Sequence, residues 1–473
     1  MDEKETLYRE RLNRYVTAMR NEKPDCIPIR PFVAEFTARY AGYTCQEVTH
    51  DYRRAFQAVL KCAVDFDWDA MVPNMVYVWT GLTQALGLKY YAIPGIDVPP
   101  NTPFQYLEPP EQKAFMKPDE YNMLIDDPTA FLYQIWLPRV SIEIAGGDAS
   151  SYSSKLALVK GALAMNEYFN AFNVQVERMR REAGMVSAIA GILKAPLDII
   201  ADKLRGYIGL IKDLHRQPEK VLEACEALAP HLTKVASMTA DPSKTVPIGF
   251  WMHRSSVPFI NMSHFKKIFW PTLKPIIEEL WSHGHQVLFY AEGDWTPHLE
   301  TFAELPERSI VFHIDRTDIL EAHKKIGEKF CLSGGIPNYL FSVGTPREMQ
   351  RYCKKIIDSV ASDGGYIMDA SAIIQNDAKI ENIRAMTDFT RRYGKYGDGT
   401  IRNSKREQSF SRRQRAINSS FKKLKVKPGV CIPWSEKRRE IPRISGDEGI
   451  LEKIWEEIES FGYLFIWQIL LSF

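Results

Sequence analysis

The chain has 473 residues, a formal net charge of +2, 45% hydrophobic residues and 25% charged residues. This composition is ordinary for a soluble globular protein and excludes a mostly disordered chain. The length allows one barrel-sized domain with additions or two to three ordinary domains.

The cysteine pattern and the hydropathy indicate in which cellular compartment the protein is expected. The seven cysteines are scattered and include no CxxC pair, which argues against a disulfide framework or a thiolate zinc module. The N-terminus is charged and helical in pattern, unlike a secretory signal. No apolar run approaches the roughly 18 to 20 residues that cross a bilayer. We therefore expect a cytoplasmic protein without a membrane segment.

Helix-like and strand-like segments alternate along most of the chain. Residues 1–24 have apolar side chains at three- and four-residue spacings, which predicts an amphipathic helix. Residues 131–243 are mostly helical in pattern, interrupted by the apolar segment MVSAIAGI. Short apolar runs predict eight strands, centred near residues 26, 70, 187, 248, 288, 312, 331 and 367. Eight strands alternating with helices predict an α/β protein with a (β/α)8 TIM barrel and helical insertions.

The character of the sequence changes near residue 396. The stretch RNSKREQSFSRRQRAINSSFKKLKVKPG is basic and lacks periodicity, which is typical of a solvated, flexible tail. Contact with nucleic acid or an acidic partner is the alternative, but we expect no nucleic-acid partner. The chain ends in a short apolar helix. The sequence thus predicts a barrel over residues 1–395 and a C-terminal tail over residues 396–473 that the barrel does not need for folding.

Polar side chains end three successive predicted strands in the middle of the chain. His253 follows the first, Glu292 and Asp294 follow the second, and His313 and Asp315 belong to the third. In α/β architectures the carboxyl edge of the strands binds ligands and carries the chemistry. We therefore predict the functional site at this edge.

Metal binding is one hypothesis for these residues. Zinc accepts imidazole and carboxylate ligands, and a catalytic zinc site has three protein ligands and one open position. Glu292 and His313 are the first candidates as ligands, with His253 or Asp294 as the third. The alternative is structural, because strand-end histidines often serve packing and aspartates often bond backbone N–H groups.

Further candidates lie at the same predicted edge. Asp369 follows the last strand and joins Asp294 and Asp315 as candidate catalytic residues that bond the substrate. Aromatic side chains near strand ends could line a flat apolar substrate pocket, although most such residues are plain core. These aromatic residues are Trp79, Phe250, Trp251, Tyr290 and Trp295.

Several motifs together resemble the uroporphyrinogen decarboxylase superfamily. They are KPDCIPIRPF, FDWDAM, HFKKIFWPTLKPIIEELWSHGHQVLFYAEGD, the HID strand, LSGGIPNYLFSVGTPREM, and GGYIMDAS with KIENIRAM. The resemblance covers roughly residues 10–395. It implies a TIM barrel and either of two activities, porphyrinogen decarboxylation or cobalamin-linked methyl transfer.

The sequence departs from two branches of that superfamily. Where the decarboxylases carry a RQAGRY-like segment, this chain reads EFTARYAGY with only Arg39. Their acidic residue falls at or near Val76, and their His-Gly falls at Ala372. The methyl-coenzyme M branch holds zinc with an H-x-C pair and a further Cys, and those positions are Tyr290, Glu292 and Ala372 here.

Glu292 and His313 look more like the methyltransferases that open corrinoid-dependent O-demethylation, in which Glu and His hold the metal. That resemblance implies a Zn²⁺-dependent enzyme moving a methyl group from a small methoxylated, aromatic substrate to the corrinoid (cobalamin) of a separate protein. One alternative is a carboxy-lyase acting on a tetrapyrrole or another carboxylate, with Arg39, Arg254 and Lys194 as candidate cations. A second is a non-catalytic barrel subunit, and a homodimer is an open option in each case.

Overall fold

A computed structural model describes residues 2–73, 80–144, 151–397 and 428–472. Strands within these ranges are short, and most of them follow the predicted apolar runs. The strands are β1 (Ala70–Met71), β2 (Tyr91–Ala92), β3 (Gln105–Tyr106), β4 (Val186–Ser187), β5 (Ile192–Lys194), β6 (Ile248–Met252), β7 (Val287–Ala291), β8 (Ile310–Ile314), β9 (Cys331–Gly334) and β10 (Tyr366–Ile367).

Six of these strands form one parallel sheet in the order β10-β9-β8-β7-β6-β5. β1 and β4 form a separate parallel pair, and β2 and β3 form an antiparallel pair. Every residue of β6, β7 and β8 is buried. Strands covered on both faces need apolar residues at consecutive positions, which explains their continuous apolar runs. The predicted α/β fold with a parallel sheet is confirmed.

The predicted closed barrel is seen only in part. Near residue 26 the described residues form isolated parallel bridges, Ile29 with Met368 and Val33 with Ile374, in place of a regular strand. The segment MVSAIAGI, predicted as one strand or its remnant, contains β4 and ends at the first residue of β5. Across the described ranges, these pairings do not show closure of eight strands into a barrel.

Helices fill the connections between strands, and within the described ranges none is long and apolar enough to cross a membrane. The α-helices are α1 (Glu3–Met19), α2 (Phe36–Ala41), α3 (Cys45–His50), α4 (Tyr52–Phe66), α5 (Thr80–Leu86), α6 (Tyr121–Asp126), α7 (Pro128–Phe131), α8 (Leu137–Val140), α9 (Tyr152–Ala183), α10 (Pro196–Ile199), α11 (Gly206–Arg216), α12 (Pro218–Thr239), α13 (Met262–His264), α14 (Trp270–Ser282), α15 (Leu299–Phe302), α16 (Ile319–Ile326), α17 (Asn338–Ser342), α18 (Pro346–Val360), α19 (Ile380–Tyr393), α20 (Trp434–Glu440) and α21 (Glu448–Leu471).

Shorter helical turns of other types interrupt these helices. The π-helices are Leu132–Trp136, Ile200–Leu204 and Phe265–Phe269, and the 3₁₀ turns are Glu111–Lys113 and Thr296–His298.

Local signals explain where several helices begin. Thr345 and Glu348 form a capping box at the start of α18, in which each side chain bonds the backbone N–H of the other residue. Asp318 accepts hydrogen bonds from two backbone N–H groups in the first turn of α16. These caps satisfy N–H groups that have no partner within the helix. They fix the helix starts that follow β8 and β9.

The C-terminal helix α21 differs from the expectation of a dispensable tail. Its final turns are buried in the same core cluster as the strands. The Tyr90 hydroxyl donates to the Ile469 carbonyl at 3.4 Å, and Tyr91 bonds Ser472 at 3.2 Å. The apolar end of α21 is therefore part of the folded body, because its large side chains need burial. Most of the basic stretch, residues 398–427, lies outside the described residues.

Candidate functional site

The strand register brings two layers of side chains to the carboxyl edge of the sheet. Trp251 of β6 lies in register with Tyr290 of β7, which lies in register with His313 of β8. Side chains alternate between the two faces of a strand, so the residue two positions further on returns to the same face. That next layer consists of His253, Glu292 and Asp315.

The upper layer holds one imidazole between two carboxylates. His253 Nδ1 lies 3.3 Å from Asp202 Oδ2, and His253 Nε2 lies 3.8 Å from Glu292 Oε1. The His253 side chain is 17% exposed and that of Glu292 is 39% exposed, whereas Asp202 is buried. Glu292 is thus the member of this group that solvent reaches most easily.

Asp202 reaches the site from the helical segment that follows β5. It lies on the π-helix Ile200–Leu204, a type of turn often found at functional sites. Its carboxylate accepts a hydrogen bond from Arg254 Nε at 3.2 Å and lies 3.6 Å from Lys194 Nζ. We call Lys194, Asp202, His253, Arg254 and Glu292 the His253 cluster.

Asp198 holds the backbone on which His253 sits. Its carboxylate accepts hydrogen bonds from the N–H groups of His253 and Arg254, at 3.0 and 3.2 Å, and from the Ser255 hydroxyl at 2.7 Å. Three bonds to one fully buried side chain fix the turn after β6. The position of His253 is therefore set by buried polar contacts.

Charges within the His253 cluster set its protonation. Burial opposes the imidazolium form, but the carboxylates of Glu292 and Asp202 outweigh burial and raise the pKa of His253. Burial alone would raise the pKa of Asp202, but Lys194, His253 and Arg254 together lower it well below its usual range. The arrangement thus favours the protonated imidazole beside an ionised carboxylate, and in that form Nε2 carries a proton that it can donate.

Aromatic rings form a buried floor beneath the His253 cluster. The Phe32 ring meets the rings of Trp251, Tyr290 and His313 edge-on, with centroids 5.3, 4.8 and 5.4 Å apart. Tyr290 also stacks on His313 at 4.5 Å. These four rings are fully buried and pack as a layer of aromatic rings below the strand-end residues.

His313 belongs to a separate hydrogen-bond chain. Arg30 Nη2 donates to the Ser333 hydroxyl at 2.8 Å, Ser333 bonds His313 Nδ1 at 3.0 Å, and His313 Nε2 bonds the Ser371 carbonyl at 3.1 Å. Since Ser371 offers only an acceptor, Nε2 carries the proton and Nδ1 accepts from Ser333. Burial, together with the Arg30 charge, holds the pKa of His313 well below its usual range. This imidazole is therefore neutral.

Asp369 completes this chain from the last strand. Its Oδ1 accepts hydrogen bonds from the N–H groups of Phe32 and Ala370, at 3.2 and 2.7 Å. Its Oδ2 lies 3.4 Å from Arg30 Nη1 and 3.6 Å from His313 Nδ1. We call Arg30, His313, Ser333 and Asp369 the His313 network, and all four side chains are fully buried.

The three predicted zinc ligands do not converge. His253 and Glu292 adjoin, but His313 lies one layer deeper and uses both ring nitrogens in hydrogen bonds. Over the described ranges, no group of three or more His, Cys, Asp or Glu side chains is placed to hold a metal ion. The donor set does not fit a three-ligand zinc site, because the third imidazole has no lone pair left to offer.

Other predicted site residues lie elsewhere. Asp315 is near the cluster, and its Oδ2 accepts from the Gly293 N–H at 2.9 Å. Asp294 accepts hydrogen bonds from the N–H and the hydroxyl of Thr296, at 2.9 and 2.6 Å, just ahead of a 3₁₀ turn, which is a local structural role. Trp295 is fully buried in an aromatic cluster of helical residues and so does not line the site. The rings around it are those of Phe265, Phe269, His298 and Phe302.

Two further aromatic candidates are not seen at the site. Three residues that the structure places there were not predicted from the sequence. Phe250 packs on Phe289 within the core, and Trp79 lies outside the described residues. The missed residues are Asp202, Phe32 and Arg30. Arg30 carried a signal, because a charged residue interrupts the apolar run IPIRPFV. Asp202 carried none, since its segment reads as ordinary helix.

Comparison with known proteins supports the superfamily resemblance. Residues 164–393 match the sequence model of the uroporphyrinogen decarboxylase (URO-D) family. No curated protein matches the chain. The structure of a methyltransferase from Methanosarcina mazei superimposes with a TM-score of 0.54 at 12% identity, covering 81% of this chain and 98% of that one. At such low identity the likeness concerns the fold. The matched region carries β5 to β10 and the whole His253 cluster, and over residues 164–393 the chain is similar to the uroporphyrinogen decarboxylase family.

Proposed function

We propose that this chain is a methyltransferase-like enzyme whose reaction takes place beside His253. The family match and the fold shared with a methyltransferase from Methanosarcina mazei support this activity class. One observation carries the proposal. The His253 imidazole is held at Nδ1 by Asp202, faces Glu292 through Nε2 and lies above an aromatic floor.

The substrate we propose is a small methoxylated aromatic compound. Its ring would lie over Trp251 and Tyr290, and its ether oxygen would take the place of Glu292 Oε1 against His253 Nε2. The carbon–oxygen bond of the methoxy group breaks as the methyl carbon bonds to a strong nucleophile, for which we propose the cobalt of a separate corrinoid protein. The leaving oxygen takes the proton from His253 Nε2 and departs as a hydroxyl group.

Asp202 keeps His253 in the form that this step requires. Its ionised carboxylate faces Nδ1 and stabilises the imidazolium, much as a buried carboxylate orients a catalytic histidine elsewhere. Because the predicted three-ligand zinc set does not converge among the described residues, protonated His253 activates the ether oxygen without a zinc ion held by this chain.

The decarboxylase alternative receives less support. It requires cations that can bind the carboxylates of a substrate. Lys194 and Arg254 both face the Asp202 carboxylate, and Arg39 donates to the Ala378 carbonyl. These candidate cations already have partners within the chain, so binding a substrate carboxylate would have to compete with those contacts.

The test is methyl transfer to reduced free cobalamin, without oxygen, from a panel of methoxybenzoates. Formation of methylcobalamin, followed by absorbance, should require the wild-type site. His253→Gln should lower the rate about a hundredfold or more, the range for loss of a general acid. The matched control is His283→Gln, because His283 is an exposed histidine at the opposite end of the sheet, ahead of β7.

Three results would count against the proposal. Equal rates for wild type and His253→Gln would remove His253 from the reaction. Release of carbon dioxide from a porphyrinogen, with no methylcobalamin from any methoxylated compound, would favour the decarboxylase. A folded wild type inactive in both assays would favour the non-catalytic barrel subunit.

A further inference from the structure

The turn that carries Asp202 departs from regular α-helical bonding. It lies on the π-helix Ile200–Leu204, in which the Arg205 N–H donates to the Ile200 carbonyl, five residues back, at 2.8 Å. Gly206 then has a φ of +69°, in the left-handed region that favours glycine. The regular bonds to the fourth residue back are therefore interrupted at this turn.

Two aromatic side chains supply hydrogen-bond donors to this turn. The Tyr106 hydroxyl donates to the Asp202 carbonyl, and Trp136 Nε1 donates to the Lys203 carbonyl at 2.7 Å. In a continuous α-helix the Lys203 carbonyl would accept from the N–H of Tyr207, but that N–H donates to a glutamate side chain at 2.5 Å. Buried carbonyls without donors are costly, so the two aromatic donors stabilise the irregular turn.

The ring of Tyr106 packs against the side chain of Lys203. Lys203 Nζ lies 4.3, 5.5 and 4.9 Å from the ring centroids of Tyr90, Tyr91 and Tyr106, respectively. Burial, aided by the Lys194 charge, holds the pKa of Lys203 well below its usual range, which favours the uncharged amine. Among the described residues, this amine has no hydrogen-bond partner. Lys203 therefore acts through packing, and we call it and the three rings the tyrosine compartment.

The three hydroxyls of the tyrosine compartment have different partners. Tyr106 of β3 lies in register with Tyr91 of β2, and its hydroxyl bonds the turn that carries Asp202. The Tyr90 hydroxyl donates to the Ile469 carbonyl at 3.4 Å, and the Tyr91 hydroxyl bonds the Ser472 hydroxyl at 3.2 Å, both at the end of α21. Tyr90 and Tyr106 thus flank the same amine, but their hydroxyls hold different segments of the chain.

We propose that Tyr106 is a positioning residue, whose hydroxyl holds the Asp202 main chain so that the Asp202 carboxylate stays beside His253 Nδ1. The carboxylate oxygen and the ring nitrogen are 3.3 Å apart. Successive side chains on a helix are separated by about 100°, so a turn that shifts toward regular α-helical bonding rotates Asp202 away from the ring. The consequence for methyl transfer rests on the proposed function, whereas the position of Asp202 does not.

Asp202 is the described carboxylate that lies beside Nδ1 of His253. Glu292 faces the other ring nitrogen, and Asp198 accepts from the backbone N–H of His253. The charged side chains around the ring are those of Lys194, Asp198, Asp202, Arg254 and Glu292. Burial and the Lys194 charge oppose the imidazolium, so loss of the Asp202 contact leaves them less opposed and lowers the pKa of His253.

The test is the pKa of His253, measured by NMR titration of the full-length protein with labelled histidine. Tyr106→Phe removes only the hydroxyl and should lower this pKa by about one unit, as expected when a nearby opposite charge moves away. The matched control Tyr90→Phe should leave the pKa unchanged. Asp202→Asn should lower it at least as far, and adding Tyr106→Phe to Asp202→Asn should cause no further fall, because both act through one contact. In the methyl-transfer assay, Tyr106→Phe should lower kcat about tenfold or more with little change in KM.

Thermal unfolding of each variant separates these effects from loss of folding. A wild-type pKa of His253 in folded Tyr106→Phe would overturn the proposal. An equal fall in Tyr90→Phe would overturn the role of the hydroxyl and assign the effect to packing of the tyrosine compartment. A further fall on adding Tyr106→Phe to Asp202→Asn would overturn action through Asp202, and if Asp202→Asn does not fold, the comparison of Tyr106→Phe with Tyr90→Phe decides. A lower pKa with unchanged methyl transfer would support the positioning role and count against the proposed function.

Discussion

The His253 cluster and the His313 network contain the same kinds of residue and differ in what surrounds them. Each has a histidine beside an aspartate and a basic side chain, and each stands near the carboxyl ends of neighbouring strands. The His313 network is fully buried, and both nitrogens of its imidazole are bonded within the chain. The His253 cluster includes the partly exposed Glu292. Burial and hydrogen bonding, rather than residue type, separate a structural histidine from a candidate catalytic one.

The pKa values of the two histidines move in opposite directions for the same reason. Burial disfavours the charged ring at both positions. At His253 two carboxylates overcome that penalty, whereas at His313 the Arg30 charge adds to it. Of the two layers at one sheet edge, one thus favours a protonated imidazole and the other a neutral imidazole, suited respectively to proton donation and to support.

Truncation after Gly397 should have the largest effect on stability. The His253 cluster and the His313 network both depend on a hydrophobic core that includes the end of α21. Seven large side chains between residues 463 and 471 are buried there. Burial of each side chain contributes about 1.5 to 3 kcal/mol to stability. Loss of all seven therefore matches or exceeds the roughly 5 to 15 kcal/mol free energy of unfolding of a domain. We expect an insoluble chain or one without a cooperative unfolding transition in circular dichroism. A truncated chain that unfolds like wild type would restore the idea of a dispensable tail.

Substitution of each histidine should separate the two regions by stability. His313→Ala leaves the Ser333 hydroxyl and the Ser371 carbonyl without their imidazole partner in a buried site, which should cost about 3 kcal/mol or more. His253→Ala removes a partly exposed ring and should cost about 1 kcal/mol. Urea unfolding of both variants measures the difference. Equal losses of unfolding free energy in the two variants would mean that His313 does not support the fold more than His253 does, contrary to its deeper burial.

The strands of the sheet and one half of the site could be predicted from the sequence. β6, β7 and β8 are apolar runs with polar ends, so they placed His253 and Glu292 together at one edge. The positions of the strand ends alone could not show that His253 and His313 have different roles. Both ring nitrogens of His313 form hydrogen bonds, but their partners, Ser333 and Ser371, lie far along the chain.

The remaining features depend on three-dimensional context. Asp202 enters the site through a π-helix, and helical periodicity gives no sign of such a turn. The tail was expected to be dispensable because its basic stretch dominates its composition. Its apolar ending did carry a signal, since large apolar side chains such as Trp467 and Phe465 favour burial, and both are in the core.

Glu292→Gln should have the smallest effect of these changes. It tests the difference between the two histidines by altering only the charge next to His253. It removes a carboxylate that raises the pKa of His253, so that pKa should fall. If protonated His253 is the acid, activity declines as pH rises through its pKa, and the variant should decline at lower pH than wild type. Methylcobalamin formation across pH measures this, with Glu436→Gln, a surface carboxylate on α20, as the matched control.

The same substitution should change stability with a predictable sign. A histidine whose pKa is raised by folding contributes stability below its unfolded value of about 6.5, and that contribution disappears as pH rises through the folded pKa. Wild type should therefore exceed Glu292→Gln in stability on the acid side, and the two should converge at alkaline pH. A difference that grew with pH would mean that Glu292 does not act through the charge of His253. Loss of activity without any shift of the pH profile would instead assign Glu292 a direct contact with substrate.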